Sequence, residues 1–260
     1  MPQTPAPFSD AEVERYARHL VLSEIGGPGQ QKLAAARVLI VGAGGVGGPA
    51  ALYLAAAGVG VIGLVDDDQV SLSNLQRQIL FSDADIGAPK VQAAATRLAM
   101  TNPHVAVERH TLRLTPENAA ALIAAHDLVL DGTDDFETRF AVNAACVVAG
   151  KPLVSAALGR WTGQVAVFQG RPCYQCLVPE TPPDAETCAR VGVVGALTGV
   201  IGAMAALEAI KLITGAGESL TGRLMLYDGL AGTSRTVRVA ADPTCGTCSD
   251  QAKARDSKAI

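Results

Sequence analysis

The sequence is poor in charged and aromatic residues. Charged residues make up 18% of its 260 positions and aromatic residues 4%, with a single tryptophan. The formal net charge is −4 and there is no long basic run, which disfavours a nucleic acid as the main partner. Hydrophobic residues account for 49% of the chain, enough for a sizeable core, and this excludes wholesale disorder.

A secretory signal and an obvious membrane anchor are also lacking. The first twenty residues have no apolar h-region after a basic start. The uncharged stretch 38–65 is long enough to raise the question of a membrane span, but its glycines indicate strand, helix and strand. A second uncharged stretch, 191–207, predicts a buried helix. We therefore expect a cytoplasmic protein without a membrane partner, whose six cysteines are reduced unless they bind metal.

A glycine-rich turn is the most informative segment of the chain. Residues 37–66 predict a strand, a turn, a helix and a second strand that ends on Asp66. The turn contains four glycines: Gly42, Gly44, Gly45 and Gly47. The first permits a tight turn, the second lets the backbone approach a phosphate, and the last lets the helix lie close to the strand. With Asp66 placed to accept ribose hydroxyls, this pattern predicts a nucleotide site rather than a turn that only packs.

The remaining segments predict an α/β fold. Strands and helices alternate up to about residue 160, which is typical of a Rossmann-like domain with a mostly parallel sheet. The capping box Ser9–Glu12 predicts a helix over 10–22, and on the residues alone its Arg18 belongs to a solvated face. We expect one domain over 1–260, with N-terminal helices in 1–36, a nucleotide-binding core in 37–160, and a crossover loop, a hairpin and a metal region in 161–250.

Two cysteine pairs of identical spacing predict a metal site. The pairs are Cys173 with Cys176 and Cys245 with Cys248. Four thiolates from two such pairs form a closed tetrahedral zinc site, which is structural because no ligand position stays open. Disulfides are disfavoured by the compartment, and a redox pair does not explain the duplication. The zinc would clamp the C-terminal segment to the crossover region.

The ordered motifs resemble one family. They are GAGGVG from Gly42, Asp66 with the following SLSNLQRQ, GAPK ending at Lys90, DGTDD from Asp131, and the cysteine pairs. Together they resemble the ubiquitin-activating-like adenylyltransferases of bacterial sulfur transfer, the MoeB and ThiF family, over nearly the whole chain. The resemblance implies an enzyme that uses Mg·ATP to adenylate the C-terminal glycine of a small ubiquitin-like sulfur carrier ending in Gly-Gly. Pyrophosphate is released, and the carrier is activated for thiocarboxylate formation in molybdopterin, thiamine or related biosynthesis.

The same resemblance implies roles for individual residues. The residues implied to bind ATP or magnesium are Gly42, Gly44, Gly45, Gly47, Asp66, Asn74, Arg77, Lys90 and Asp134. Of these, Asn74, Arg77 and Lys90 act at the phosphates and Asp134 at the magnesium ion. Arg18 matches an arginine that the family lends to the active site of the neighbouring subunit, which implies a homodimer.

Three positions leave questions open. Cys188 matches a cysteine that takes part in sulfur transfer in the thiamine branch but is not required for adenylation in the molybdopterin branch; a cysteine that merely lies in a loop is an equal alternative. Asp135 stands where the family commonly has Asn, and Ala196 where it usually has Pro. The sequence ends shortly after Cys248 without a rhodanese-like segment, so we expect a separate sulfur donor of desulfurase or rhodanese type.

Two other classes of function compete with this interpretation. An NAD(P)-dependent oxidoreductase shares the glycine turn and Asp66, but it does not account for Arg77, Lys90, Asp134 or the cysteine pairs. A non-catalytic scaffold that binds a ubiquitin-like partner shares the fold, but retention of the phosphate-binding residues argues against it. A third alternative is a relative in tRNA modification or cysteine biosynthesis that adenylates another acceptor.

Overall fold

A computed structural model describes residues 7–183 and 192–249. The helices in this part of the chain are α1 (Asp10–Leu20), α2 (Gly26–Ala35), α3 (Gly47–Ala56), α4 (Lys90–Thr101), α5 (Pro116–Ala124), α6 (Phe136–Ala149), α7 (Tyr174–Leu177) and α8 (Gly195–Thr214). The strands are β1 (Arg37–Val41), β2 (Val61–Val65), β3 (Ala106–His110), β4 (Leu128–Asp131), β5 (Leu153–Leu158), β6 (Thr162–Phe168), β7 (Arg223–Asp228) and β8 (Thr233–Arg238).

All eight strands form one sheet in the order β3-β2-β1-β4-β5-β6-β7-β8. The first five strands of this order, β3-β2-β1-β4-β5, run parallel. β1 lies at their centre, where Val38 pairs with both Ile62 and Leu128. From β5 onward the neighbours are antiparallel, because β5 and β6 are joined by a short turn instead of a helical crossover. The predicted α/β, Rossmann-like fold with a mostly parallel sheet is confirmed.

Adjacent residues of the central strands have side chains buried on opposite faces of the sheet. Ile40 of β1 packs in a cluster with Leu54 of α3 and Ile201 of α8, whereas its neighbour Leu39 packs with Ile123 on the other face. This alternation follows from the two-residue period of a strand. Because helices cover both faces, β1 is apolar from Val38 to Val41 and β4 from Leu128 to Leu130, and their charged residues, Arg37 and Asp131, stand at the strand ends.

The helix α8 is long and apolar enough to cross a membrane by length and composition alone, a test that core helices of soluble proteins also pass. Its residues Leu197, Ile201 and Ala205 are buried in the cluster that also contains α3 and the sheet. α8 is therefore a core helix, as the sequence predicts. It begins at Gly195, so Ala196 occupies its first turn, where the resembling family usually has proline.

The N-terminal helix α1 is held by its buried side. The predicted capping box is present, with Ser9 and Glu12 bonded to each other's backbone, but α1 ends at Leu20, two residues earlier than predicted. Tyr16 is 4% exposed, and its hydroxyl accepts a hydrogen bond from Asn102 Nδ2 at 2.9 Å. Arg18 lies exposed on the same helix.

His126 makes the stability of the fold depend on pH. It is 1% exposed, its Nδ1 donates to the Leu122 carbonyl at 2.7 Å, and its Nε2 lacks a hydrogen-bond partner among the described residues. Burial lowers the pKa of His126, and this effect exceeds the opposing effects of its hydrogen bond to the Leu122 carbonyl and of the attraction of Glu108. The native state therefore binds a proton less readily than the unfolded chain, whose histidine has a pKa near 6.5.

We expect the free energy of unfolding to fall as the pH drops below about 6.5, because the unfolded chain then takes up a proton that the native His126 resists. His126→Asn keeps a donor for the Leu122 carbonyl but does not titrate. Urea unfolding of both proteins between pH 5 and 8 checks this: the variant should lose less stability on acidification. An equal loss in both proteins would contradict the assignment to His126.

Candidate active site

A cleft of about 580 Å³ opens at the carboxyl ends of β1, β2 and β4. Its volume falls within the range of roughly 300–1,000 Å³ that is usual for ligand pockets. Eight of the predicted nucleotide and magnesium residues line it: Gly42, Gly44, Gly45, Asp66, Asn74, Arg77, Lys90 and Asp134. Gly47 and Arg18 are not among the residues that line the cleft of their own chain, and Cys188 lies outside the described residues.

The glycine turn between β1 and α3 cannot hold larger residues at two positions. Gly42 has φ +86°, a left-handed conformation that favours glycine. A Cβ on Gly47, the first residue of α3, would lie 1.8 Å from the Gly42 carbonyl oxygen. The glycines at these two positions therefore let α3 begin close to the end of β1. Gly44 and Gly45, which directly precede α3, line the cleft. Unpaired N–H groups at such a helix terminus favour a bound phosphate.

Asp66 and Lys90 form the charged floor of the cleft. Asp66 Oδ2 accepts a hydrogen bond from the Ala43 N–H at 2.8 Å, which ties the end of β2 to the glycine turn. Lys90 Nζ lies 2.7 Å from Asp68 Oδ2 and 3.9 Å from Asp66 Oδ1, with its own side chain only 6% exposed. Burial raises the pKa of Asp66, and the neighbouring ammonium of Lys90 partly opposes that rise.

Arg77 and Gln78 form the wall that faces α8. Arg77 donates from Nη1 to the Ser73 carbonyl at 2.9 Å, and its own carbonyl accepts from Thr198 Oγ1 at 3.0 Å. Gln78 is 5% exposed, and its Oε1 is buried with no hydrogen-bond partner in the described chain. Because an unpaired buried polar atom costs free energy, the lining fits a polar ligand such as a nucleotide.

The turn after β4 presents Asp134 to the cleft and uses the next residue as a helix cap. Asp135 Oδ1 accepts from the Thr138 N–H at 2.8 Å and from Arg113 Nη2 at 3.0 Å. The additional negative charge of Asp135 is therefore paired with Arg113, which also lines the cleft. This pairing leaves Asp134 as the carboxylate of the turn that can hold a cation.

Four cysteine thiols form a separate cluster at the end of α6. Cys173 Sγ lies 3.7 Å from Cys245 Sγ, and Cys176 Sγ lies 3.4 Å from Cys248 Sγ. All four sulfur atoms lie within 4.8 Å of one another. A tetrahedral zinc ion with Zn–S bonds of about 2.3 Å requires sulfur atoms about 3.8 Å apart, so these residues fit zinc as predicted. The fifth described cysteine, Cys146, is a buried core residue whose thiol pKa is raised by burial.

Sequence comparison gives the family directly. Residues 16–247 match the ThiF family, and this range includes the glycine turn, the cleft and three of the four clustered cysteines. The chain belongs to the ThiF family. The family predicted from the ordered motifs is thereby confirmed.

The curated relatives of this ThiF-family chain are adenylyltransferases. It is 44% identical over 258 residues to the sulfur carrier protein adenylyltransferase of Thermus thermophilus, covering 96% of this chain and 95% of the relative. It is 46% identical over 246 residues to the molybdopterin-synthase adenylyltransferase of Escherichia coli, covering 94% and 99%. The chain spans about half the length (56%) of another relative, the adenylyltransferase and sulfurtransferase MOCS3 of Anopheles gambiae, at 48% identity over 94% of this chain. The predicted enzyme class is confirmed, and the oxidoreductase alternative gains no support.

Solved structures agree on the fold of this ThiF-family chain. The crystal structure of E. coli MccB with MccA-N7isoASN superimposes with a TM-score of 0.81, covering 94% of this chain and 76% of that one. The sequences are 24% identical, so this likeness bears on the fold alone.

The sequence motifs did not identify several of the residues that line the cleft of this ThiF-family chain. Gln78 directly follows Arg77 in the motif and could have been found there. Arg113 could have been sought as the partner of the unusual Asp135 charge. Arg139 and Tyr174 also line the cleft, from α6 and α7. No motif includes Arg139, and Tyr174 lies within the first cysteine pair, whose spacing predicts a metal site and not a cleft residue.

Proposed function

We propose that this protein catalyses ATP-dependent adenylation of the C-terminal glycine carboxylate of a small ubiquitin-like sulfur carrier, with release of pyrophosphate. The observation that carries the proposal is the convergence of the glycine turn, Asp66, Arg77, Lys90 and Asp134 on one cleft. The strong likeness to adenylyltransferases over nearly the whole chain supports it.

The chemistry needs positioning and charge more than proton transfer. A C-terminal carboxyl has a pKa of about 3.3–3.7, so the nucleophile is already ionised at neutral pH. One carboxylate oxygen forms a bond to the α-phosphorus of ATP while the bond from that phosphorus to the β-bridging oxygen breaks. The electron pair leaves with pyrophosphate, and the carrier becomes an acyl-adenylate. A general base is not required, in keeping with a cleft lined by Arg, Lys and Asp.

The residues of the cleft divide this task. The glycine turn and the N-terminus of α3 would receive a phosphate, and Asp66 the ribose hydroxyls. Asn74, Arg77 and Lys90 would hold the phosphates, with the two cations stabilising the negative charge that develops on the leaving pyrophosphate. Asp134 would hold Mg²⁺, which when bound supplies further neutralisation of the phosphate charge. The four clustered cysteines would hold a structural zinc ion.

A homodimer would complete each active site. Arg18 is exposed and lies outside the cleft of its own chain, while the buried side of α1 is anchored through Tyr16. This arrangement supports a role for Arg18 in the cleft of a second copy, as the family resemblance implies.

Mixing two inactive variants tests this role. We expect Arg18→Ala and Lys90→Met each to lose most activity, whereas an equimolar mixture that has exchanged subunits regains about a quarter of the wild-type rate. Half of the mixed dimers are heterodimers, and each of these has one intact site. Pyrophosphate–ATP exchange measures the recovery; no recovery despite subunit exchange would place Arg18 outside the partner's site.

Other features of the proposal extend beyond the cleft. We place the protein in the cytoplasm as one domain, with no nucleic acid or membrane partner and with a separate protein as sulfur donor. The continuous eight-stranded sheet and the buried α8 support the single soluble domain. Cys188 is a candidate for sulfur transfer in this scheme, alongside a loop cysteine without a role.

Pyrophosphate–ATP exchange with and without candidate Gly-Gly carriers tests the function. Exchange that depends on a carrier would establish carboxyl adenylation, and the carrier that supports it would identify the pathway. If a folded, zinc-loaded protein binds ATP but gives no exchange with any carrier, the non-catalytic scaffold or another acceptor becomes the better explanation.

A further inference from the structure

Two buried polar side chains of α6 lie one helical turn apart and face two different sites. Arg139 is 5% exposed and lines the nucleotide cleft, while Asn143 is 1% exposed and contacts the cysteine cluster. The proposed adenylation chemistry assigns a role to neither residue. Buried polar groups are costly unless they are bonded, so their partners indicate what they hold in place.

Asn143 connects the cysteine cluster to the first residue of α7. Its Nδ2 donates to Cys173 Sγ at 3.5 Å, and its Oδ1 accepts from the Tyr174 N–H at 2.8 Å. A side chain that bonds a metal ligand from outside the coordination sphere orients that ligand. The carboxamide of Asn143 therefore positions both the Cys173 thiol and the backbone of Tyr174, from which the tyrosine side chain extends.

Tyr174 carries this connection to the cleft. Tyr174 is 3% exposed, and its ring contacts two other aromatic rings, with centroid distances of 6.0 Å to Phe168 and 5.9 Å to Phe140. The guanidinium carbon of Arg139 lies 6.0 Å from the centre of the Tyr174 ring, within the range of a cation–π contact. Tyr174 thus supports the guanidinium from one side.

Arg139 also holds the turn after β4, which carries Asp134. Its guanidinium donates to the Thr133 carbonyl, to the Ala156 carbonyl at 2.8 Å and to Ser155 Oγ at 3.3 Å. These acceptors belong to the turn after β4 and to the middle of β5, so one planar group joins that turn to the adjacent strand. Only a guanidinium offers several donors in a fixed plane, and lysine could not make all three bonds.

We propose that Asn143, Tyr174 and Arg139 are positioning residues that connect the cysteine cluster to the nucleotide cleft, so that a metal-loaded cluster sets the position of Asp134 for Mg·ATP. The connection runs through buried, bonded groups from Cys173 to Thr133, the residue before Asp134. The inference rests on the proposed function, because it takes Asp134 as the magnesium ligand. It extends the role of the zinc site from holding the C-terminal segment to organising the cleft.

Tyr174→Leu breaks this connection at the cleft end and leaves the Tyr174 backbone bond to Asn143 intact. We expect the variant to retain one zinc per chain but to need roughly tenfold more Mg²⁺ for half-saturation of ATP binding. Phe168→Leu is the matched control, since Phe168 packs on the same ring but is not among the residues that line the cleft. We expect its magnesium requirement to stay within about twofold of the wild type.

A magnesium requirement in Tyr174→Leu equal to the wild type, or an equal increase in both variants, would overturn the proposal. Wild-type protein that binds no ATP at any Mg²⁺ concentration would instead overturn the proposed function together with it. The two failures are therefore distinguishable by ATP binding to the unaltered protein.

Cobalt substitution gives a second measurement, and its main result comes from the wild-type protein. Co²⁺ loaded into the cysteine cluster of the wild-type protein has visible absorption bands that respond to the geometry of its thiolate ligands. We expect saturating Mg·ATP to shift these bands, and Asn143→Leu with bound Co²⁺ to show a smaller shift. Bands that stay unchanged in the wild-type protein while ATP binds would show that the two sites are independent.

Discussion

Lys90→Met should reduce pyrophosphate–ATP exchange by roughly 10²–10³-fold, the usual cost of removing one group that stabilises transition-state charge. Lys90 is the first residue of α4, and its ammonium is held in the cleft between Asp66 and Asp68. Methionine keeps the apolar part of the buried side chain but leaves the two carboxylates and the departing pyrophosphate without this cation. The rate of exchange, measured with saturating carrier and Mg·ATP, checks the prediction.

The matched control for this variant is Lys151→Met, which removes one lysine outside the cleft. We expect the control to keep at least half of the wild-type exchange rate, roughly the effect of a surface substitution. Far-ultraviolet circular dichroism should show both variants folded. Near-normal exchange in Lys90→Met would refute the assignment of Lys90 to the phosphates.

Loss of the metal at the cysteine cluster should have the largest effect on stability. Cys245→Ser removes one ligand from a closed site, and binding free energy that requires the folded geometry is also folding free energy. We expect the free energy of unfolding to fall by roughly 5 kcal/mol, which is half or less of the zinc-binding free energies known for zinc-finger peptides. For a chain of this size, that corresponds to a fall in Tm of about 10–20 °C.

Cys146→Ala is the control for the zinc prediction, since this buried thiol lies in the core cluster beneath α6 and not among the four ligands. It should keep one zinc per chain and lose only about 1–2 kcal/mol from the smaller side chain. Metal analysis and thermal unfolding together give the answer. A Cys245→Ser protein that melts at the wild-type temperature would show that the cluster carries no structural metal.

The meeting of the predicted nucleotide residues in one cleft could be foreseen because their signals are local. The glycine turn, Asp66 and Asp134 each follow directly on an apolar strand, and parallel strands bring such ends to one edge of the sheet. The cysteine cluster was predictable from spacing, although its two pairs lie about 70 residues apart, because two pairs of identical spacing supply the four thiolates of a closed zinc site.

What could not be predicted depends on tertiary contacts that leave no local pattern. Arg139 and Asn143 look like ordinary helix residues until α6 is placed between the cleft and the cysteine cluster. The pairing of Asp135 with Arg113 joins loops after two different strands, and the sequence showed only that Asp135 carried an unusual charge.

The packing of α8 against α3 has a consequence for how the protein is made. α3 carries the nucleotide-binding turn at its N-terminus, yet the face behind it is covered by a helix that begins about 150 residues later in the chain. During translation, α8 must therefore emerge from the ribosome before the helix behind the glycine turn can be fully packed. We expect ATP binding to be acquired only after α8 has been translated, and we expect a fragment that stops after β5 not to bind ATP although it contains every predicted phosphate ligand.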